Sequence, residues 1–215
     1  MATYESIIKI KGTVGDLVFY NLNGKNIVRK KSGFNKNAFK KSPSYEKVRQ
    51  NSSEFGHCSK VGKMIRKALE KFIKESNDPL LYQKFAKVMT EIKDLDATSE
   101  RGKRTVKNGL GTKNGKTILN NFQFGNKLNL ENVVSISSDL ESLSLKFCKE
   151  TSVDNIILIT LKLDFENYLS EKYEESISLK EKDELIFKKY FNNENLLLHF
   201  VVLKKDQKIT HMGFI

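Results

Sequence analysis

Gly111-Thr112-Lys113-Asn114-Gly115-Lys116-Thr117 is the stretch of this chain most suggestive of chemistry. A glycine turn followed by Lys and Thr can curl backbone N–H groups around phosphates while the lysine reaches their outer oxygens. The spacing departs from that requirement: Leu110 stands where the first glycine should be, between Gly109 and Gly111. The preceding residues are polar and basic rather than a buried strand, and Gly125 follows too soon for a long phosphate-capping helix. Ile156–Asp164 imitates the apolar run with a terminal Asp that holds magnesium in nucleotide hydrolases, but a β-sandwich strand has the same pattern. A Gly- and Lys-rich linker is therefore the preferred reading, with a nucleotide-binding enzyme as the remote alternative.

The histidines are His57, His199 and His211. Only His57 has a possible ligand partner close in sequence, Cys58, and adjacent side chains on a helix point about 100° apart. No serine lies in a G-x-S-x-G turn, and no pair of carboxylates stands out from the general scatter. No catalytic residue, metal or cofactor is expected, and the chain reads as a non-enzyme.

Basic residues rise above background. Lys25 to Lys67 holds thirteen Lys/Arg and two Glu, a net +11. Arg29, Lys30, Lys31, Lys40 and Lys41 gather ahead of the first long helical pattern. On a helical wheel Lys60, Lys63, Lys67, Lys71 and Lys74 fall within an arc of about 80°, well over a quarter-turn from Val61, Ile65, Ala68, Leu69 and Phe72. Such a helix buries one face and holds a lysine ridge outward. These ten basic residues are the candidate contacts for an anionic macromolecule, either an acidic protein surface or nucleic acid. The competing reading is a solvated lysine face. Contact of only four lysines with phosphate suffices for steep salt dependence. Phe34 and Phe39 are placed either to stack on bases or to pin the loop to a core.

The charge is lopsided over the 215 residues. Residues 1–118 carry 26 basic and 11 acidic side chains (net +15), and residues 119–215 carry 12 and 15 (net −3). An apolar content of 39% is enough for a core, and argues against a wholly disordered chain. Cys58 and Cys148 are too few for a disulfide framework. Met1-Ala2-Thr3-Tyr4-Glu5 lacks the charged and apolar regions of a signal peptide, and the longest apolar run, Asn155–Leu163, is half what a membrane span needs. The expected location is the cytoplasm, or a place within a macromolecular assembly, with no transmembrane segment.

The elements that must position these residues follow from periodicity. Ser6–Lys11 and Leu17–Leu22 read as strands around a turn at Gly12–Asp16. Asn23-Gly24 then closes a hairpin with Lys25–Lys31, because both residues tolerate the positive φ of a type I′ turn. A two-residue turn there sets Leu22 opposite Lys25, Tyr20 opposite Ile27 and Phe19 opposite Val28. Ser42-Pro43 predicts a helix start, and apolar residues then recur at Tyr45, Val48, Phe55, Cys58, Val61, Ile65, Leu69 and Phe72. A kink is expected near Asn51–Gly56, where Asn, Ser and Gly weaken the helix. Asp78-Pro79 opens a second helix with Leu81, Phe85, Val88, Ile92 and Leu95 as its stripe. Residues 96–121, polar and basic with four glycines, read as the linker. Seven strands then follow: Val133–Ser137, Ser142–Phe147, Asn155–Phe165, Glu174–Leu179, Glu184–Phe191, Leu196–Lys204 and Ile209–Phe214. Their spacing indicates an immunoglobulin-like sandwich.

The stretch from Ile8-Lys9-Ile10-Lys11-Gly12-Thr13-Val14-Gly15-Asp16-Leu17-Val18-Phe19-Tyr20 through Gly24-Lys25, Val28-Arg29, Ser53-Glu54-Phe55-Gly56 and Ser59-Lys60 resembles a group of uncharacterised bacterial proteins. The resemblance covers about the first third of the chain. It implies an immunoglobulin-like C-terminal half and brings no catalytic residues.

The expected architecture is α+β. A basic hairpin and helical module spans 1–118, with its linker at 96–121, and an immunoglobulin-like β-sandwich spans 122–215. The expected function is a structural or assembly protein whose basic half docks to an anionic partner while the sandwich contacts other protein subunits. Sequence-tolerant nucleic-acid binding through residues 25–74 is the alternative.

Overall fold

The computed structural model describes residues 2–6, 10–31, 36–130, 133–138, 142–147, 153–179, 184–191 and 196–215. The chain divides into two compact units, Met1–Glu46 and Lys47–Ile215.

In the first unit, β1 (Ala2–Thr3), β2 (Gly12–Val14), β3 (Leu17–Leu22) and β4 (Lys25–Lys30) form an antiparallel sheet in the order β1-β4-β3-β2. Asn23 and Gly24 sit at φ 51 and 81°, and Leu22, Tyr20 and Phe19 pair with Lys25, Ile27 and Val28 as the turn requires. The turn expected over Gly12–Asp16 is narrower. Gly12–Val14 pairs with β3 instead, leaving Gly15-Asp16 to reverse the chain. The strand expected at Ser6–Lys11 falls partly outside the described residues, and Ser6, Ile10 and Lys11 are not in strand conformation. A short helix α1 (Lys36–Lys41) and one 3-10 turn (Pro43–Tyr45) follow. Pro43 takes the first position of that turn, while the Ser42 side chain makes no capping bond.

The second unit opens with α2, Glu46–Ala68. It is unbroken where a kink was expected at Asn51–Gly56; the break comes at Leu69, where the Lys172 ammonium donates to the Ala68 carbonyl at 3.4 Å. Val48 and Phe55 of the expected apolar stripe are exposed, and Glu54 and Cys58 turn inward. The apparent drift of the stripe thus marks a buried polar residue, not a bend. After α3 (Glu70–Lys74), the Asp78 carboxylate accepts the Leu80 N–H at 2.9 Å and starts α4 (Leu81–Asp94). Leu81, Phe85, Met89 and Ile92 are its buried face.

The expected linker is not one. Residues 106–120 hold α5 (Val106–Leu110) and α6 (Lys113–Asn120), capped by the hydroxyls of Thr105 and Thr112, with Val106, Leu110 and Leu119 buried. The boundary expected at 118–122 therefore lies inside the second unit. Limited proteolysis is expected to spare Thr105–Asn120; early cleavage there would mean that these helices are not docked.

All seven expected strands form: β5 (Val134–Ser138), β6 (Ser142–Phe147), β7 (Asn155–Asp164), β8 (Leu169–Ser178), β9 (Glu184–Lys188), β10 (Leu197–Lys205) and β11 (Lys208–Phe214). They make two antiparallel sheets, β11-β10-β7-β8 and β5-β6-β9. Leu158, Val201 and Leu203 of the first sheet meet Leu143, Leu145 and Phe187 of the second in one core. On its other face the four-stranded sheet gives Ile157, Ile159, Leu161, Phe200 and Phe214 to a core shared with the helices. Burial on both faces is why β7 reads as a continuous apolar run rather than an alternation.

Candidate anion-binding site

Arg29, Lys30, Lys31, Lys40 and Lys41 lie in the first unit and are all exposed. Arg29 and Lys30 are consecutive on β4, so they point to opposite faces of the sheet and do not make one flat patch. Phe39 packs edge-on against Tyr45 at 5.9 Å; Phe34 lies outside the described residues.

The other five candidates form one continuous feature in the second unit. Lys60, Lys63, Lys67, Lys71 and Lys74 are exposed along α2 and α3, while Val61, Ile65, Leu69 and Phe72 are buried. Three of the five are locally engaged. The Lys60 ammonium sits 4.8 Å from the Tyr168 ring centre, Lys71 is 3.7 Å from Glu174, and Lys74 is 2.9 Å from Glu70. Among the described residues Lys63 and Lys67 make no ion pair within 4 Å, although the charge of Lys67 acts on Glu70, which is already paired with Lys74. Both line a groove of about 370 Å³ together with Arg66, Ile73, Lys74 and Tyr82. The Arg66 guanidinium lies over the Tyr82 ring, 4.4 Å from its centre. Glu70 and Asp78 also border the groove, but their carboxylates are already paired with Lys74 and Lys84. The groove therefore presents an excess of positive charge beside the exposed Tyr82 ring.

A polar cluster invisible in the local sequence lies at the N-terminal part of the same helix. Glu54, 3% exposed, accepts from Arg104 Nε at 2.9 Å and Nη2 at 2.7 Å, from Lys93 Nζ at 2.8 Å and from the Gly102 N–H at 2.6 Å. The Arg104 bonds, helped by Lys93 and Gly102, hold its carboxyl down to about 2 against the opposing effect of burial. Asp94 bonds to Lys93 and pairs with Arg104 at 3.0 Å. Buried Asp96 accepts from the Thr105 N–H, the Thr98 and Ser99 N–H groups, the Thr98 hydroxyl and the Asn108 amide. Burial works to raise its pKa, and these donors outweigh it and hold the carboxyl well below the usual carboxylate range. Those bonds clamp the chain between α4 and α5, which by composition looks like a loop.

His57 belongs to a separate relay. Its Nε2 accepts the Val106 N–H at 3.0 Å, and its Nδ1 lies 3.0 Å from the Tyr168 hydroxyl. Burial and the charge of Lys60 push the imidazole pKa down, so the neutral ring is favoured. Cys58, buried and donating towards the Met89 carbonyl, has its thiol raised to about 11 by burial. The adjacent pair shares no ligand, and among the described residues no cluster suits a metal ion. Cys148 lies outside the described residues.

The phosphate-loop look-alike has a structural cause. A Cβ on Gly109 would stand 1.9 Å from the Ile92 carbonyl oxygen, and one on Gly115 would stand 2.0 Å from the Gly109 oxygen. These glycines let α4, α5 and α6 approach each other. Asp164 accepts the Glu166 and Asn167 N–H groups and closes a hairpin loop.

No family model, curated protein or solved structure matches the chain. Among the described residues no helix is long and apolar enough to cross a membrane. The sequence reading found the lysine ridge by its period but missed Arg66, Tyr82, Lys103, Arg104 and Tyr168. Arg66 and Tyr82 stand on α2 and α4, and Lys103, Arg104 and Tyr168 are brought in from distant loops.

Proposed function

We propose that this protein is a non-enzymatic structural or assembly component that docks through the α2–α3 lysine ridge onto an acidic protein surface. The observation that carries this reading is the groove at Lys63 and Lys67, where Lys63, Arg66, Lys67 and Lys74 outnumber the carboxylates Glu70 and Asp78 while Val61, Ile65, Leu69 and Phe72 on the opposite helix face are buried. The second part of the proposal concerns the two sheets, which we read as an immunoglobulin-like sandwich. Lettered A to G in chain order, their strands fall into A-B-E and G-F-C with the fourth strand beside C, a grouping of that architecture. Its three-stranded face then serves contacts with other subunits. The first unit's Arg29, Lys30, Lys31, Lys40 and Lys41 are further candidate contacts for the anionic partner, and the resemblance to a group of bacterial proteins is part of the same reading. A cytoplasmic location agrees with it.

Binding of nucleic acid is the second reading, favoured by Arg66 stacked on Tyr82 beside free lysines, since a ring and a guanidinium both accept a base face. Retention on polynucleotide against a salt gradient separates the two. The nucleic-acid reading requires retention beyond that of a charge-matched control and a steep loss with salt.

Reversal of Lys63, Lys67 and Lys74 to Glu is expected to leave the urea midpoint nearly unchanged, because exposed charges contribute little to folding. The same reversal is expected to abolish retention on an acidic protein column. Leu69→Ala, at a site 0% exposed, should do the opposite and cost about 2–5 kcal/mol of stability while a folded fraction still binds. If the triple reversal unfolds the protein, the ridge is not a surface. If it folds and is retained as before, the lysines are a solvated face.

A further inference from the structure

A second cavity, of about 460 Å³, opens at the other end of the ridge and is lined by Ser52, Ser53, His57, Lys60, Lys103 and Tyr168. Its hydrogen bonds run in one direction. The Val106 backbone N–H can only donate, so His57 Nε2 must be the acceptor and the ring proton must sit on Nδ1. Nδ1–H then donates to the Tyr168 oxygen. That fixes the remaining piece: the Tyr168 O–H has a proton to give, and among the described residues nothing accepts it. A donor chain aligned in this way polarises each member in turn, so the terminal hydroxyl is a stronger donor than an isolated phenol.

The surroundings of that hydroxyl are cationic and donor-rich. Lys60 lies over the Tyr168 ring, and Lys103 is bound to nothing stronger than the exposed Glu100, at 3.0 Å. The Ser52 and Ser53 hydroxyls have no partner among the described residues. Glu54 and Arg104 border the cavity too, but Arg104 and Lys93 neutralise the Glu54 carboxylate from within. The cavity is therefore built from groups that give hydrogen bonds, with no free acceptor of comparable strength.

The backbone gives a further sign. Tyr168 sits at φ 54°, a left-handed conformation that a bulky side chain adopts only against backbone strain. Asn or Gly would close the hairpin after β7 with less strain. The ring is held there by His57 and Lys60, which places its hydroxyl at the cavity.

We propose that this cavity is a binding site for a phosphoryl group, free or at the end of a small phosphate monoester. A dianion with several acceptor oxygens matches two ammonium groups, two serine hydroxyls and the Tyr168 O–H, which a single carboxylate would leave half satisfied. The volume exceeds what the ion alone fills and lies in the range of small-molecule sites.

The test is isothermal titration of the full chain with inorganic phosphate and, separately, with adenosine 5′-monophosphate. Saturable binding of phosphate is expected, weakened at least about tenfold by Tyr168→Phe, which keeps the ring and removes the hydroxyl, so that the cavity loses this donor and His57 Nδ1–H its acceptor. Lys103→Gln should weaken it similarly, and Lys113→Gln, at an exposed position of α6 that does not line the cavity, should not. Monoester binding tighter than that of phosphate assigns the site to a small metabolite; equal affinity assigns it to the free ion, and both support the site. If Tyr168→Phe fails to fold, Lys103→Gln against Lys113→Gln decides. Lack of saturation with either probe, or equal affinity for all variants, overturns the proposal. Reversal of Lys63, Lys67 and Lys74 leaves this cavity intact, so failure of the docking surface and failure of the phosphoryl site are read separately.

Discussion

Glu54→Gln is expected to cost about 3 kcal/mol of folding stability. The glutamine keeps the shape of the side chain but strips the charge that balances Lys93, itself only 4% exposed, and Arg104. Lys93 and Arg104 are then left to the half-exposed Asp94 carboxylate alone, and stripping a buried cation of one carboxylate costs more than the intact pair contributes. The pH dependence gives an independent check. Because the carboxyl is held at about 2 in the folded chain against an ordinary 4.5, the unfolded state binds the proton more readily in that interval. The contribution is complete above pH 4.5 and is lost as the pH falls towards 2. A shift of that size corresponds to roughly 3 kcal/mol. In Glu54→Gln this part of the acid unfolding curve should flatten, as measured by urea midpoints between pH 5 and 2. An unchanged midpoint at pH 7 would show that Lys93 and Arg104 are not dependent on Glu54.

Gly109→Ala is expected to destabilise the second unit by about 3 kcal/mol or more, although it adds only one methyl group to a good helix position. The new carbon would stand 1.9 Å from the Ile92 carbonyl oxygen, and backbone cannot swing aside as a side chain can. Helix α5 must lift from α4, exposing Val106 and Leu110, both 0% exposed in the native chain. Gly56→Ala is the matching control. It lies inside α2 with nothing within 4 Å of the added carbon, so the lower entropy of the unfolded alanine chain should raise stability by about 1 kcal/mol. Opposite signs in a urea titration establish that close approach, not helix propensity, governs the first site. Equal shifts would mean that α5 does not rest on α4.

Some of this structure is written in neighbouring residues. Asn23-Gly24 determines the hairpin and its register because the needed φ values belong to those two residues alone. The seven strands of the C-terminal part are legible because apolar and polar residues alternate, or run together as in β7, over spans that local periodicity captures. The lysine ridge is legible for the same reason, since a helix converts spacing directly into a face.

Other features needed the tertiary structure. Glu54 meets Lys93 and Arg104 across 39 and 50 residues, and His57 meets Tyr168 across 111. No window of sequence holds both partners, so a buried carboxylate on α2 reads locally as a polar interruption of an apolar stripe. Residues 96–121 have the composition of a linker because Asp96, Gly109 and Gly115 are the residue types of loops. Here the carboxylate gathers backbone donors and the glycines admit neighbouring helices. The same ambiguity concealed the boundary between units. The hairpin, the C-terminal strands and the lysine face of α2 and α3 are readable locally, because they depend on contacts a few residues apart. Which face each element buries, and where its polar groups find partners, was decided by packing between segments far apart in the chain.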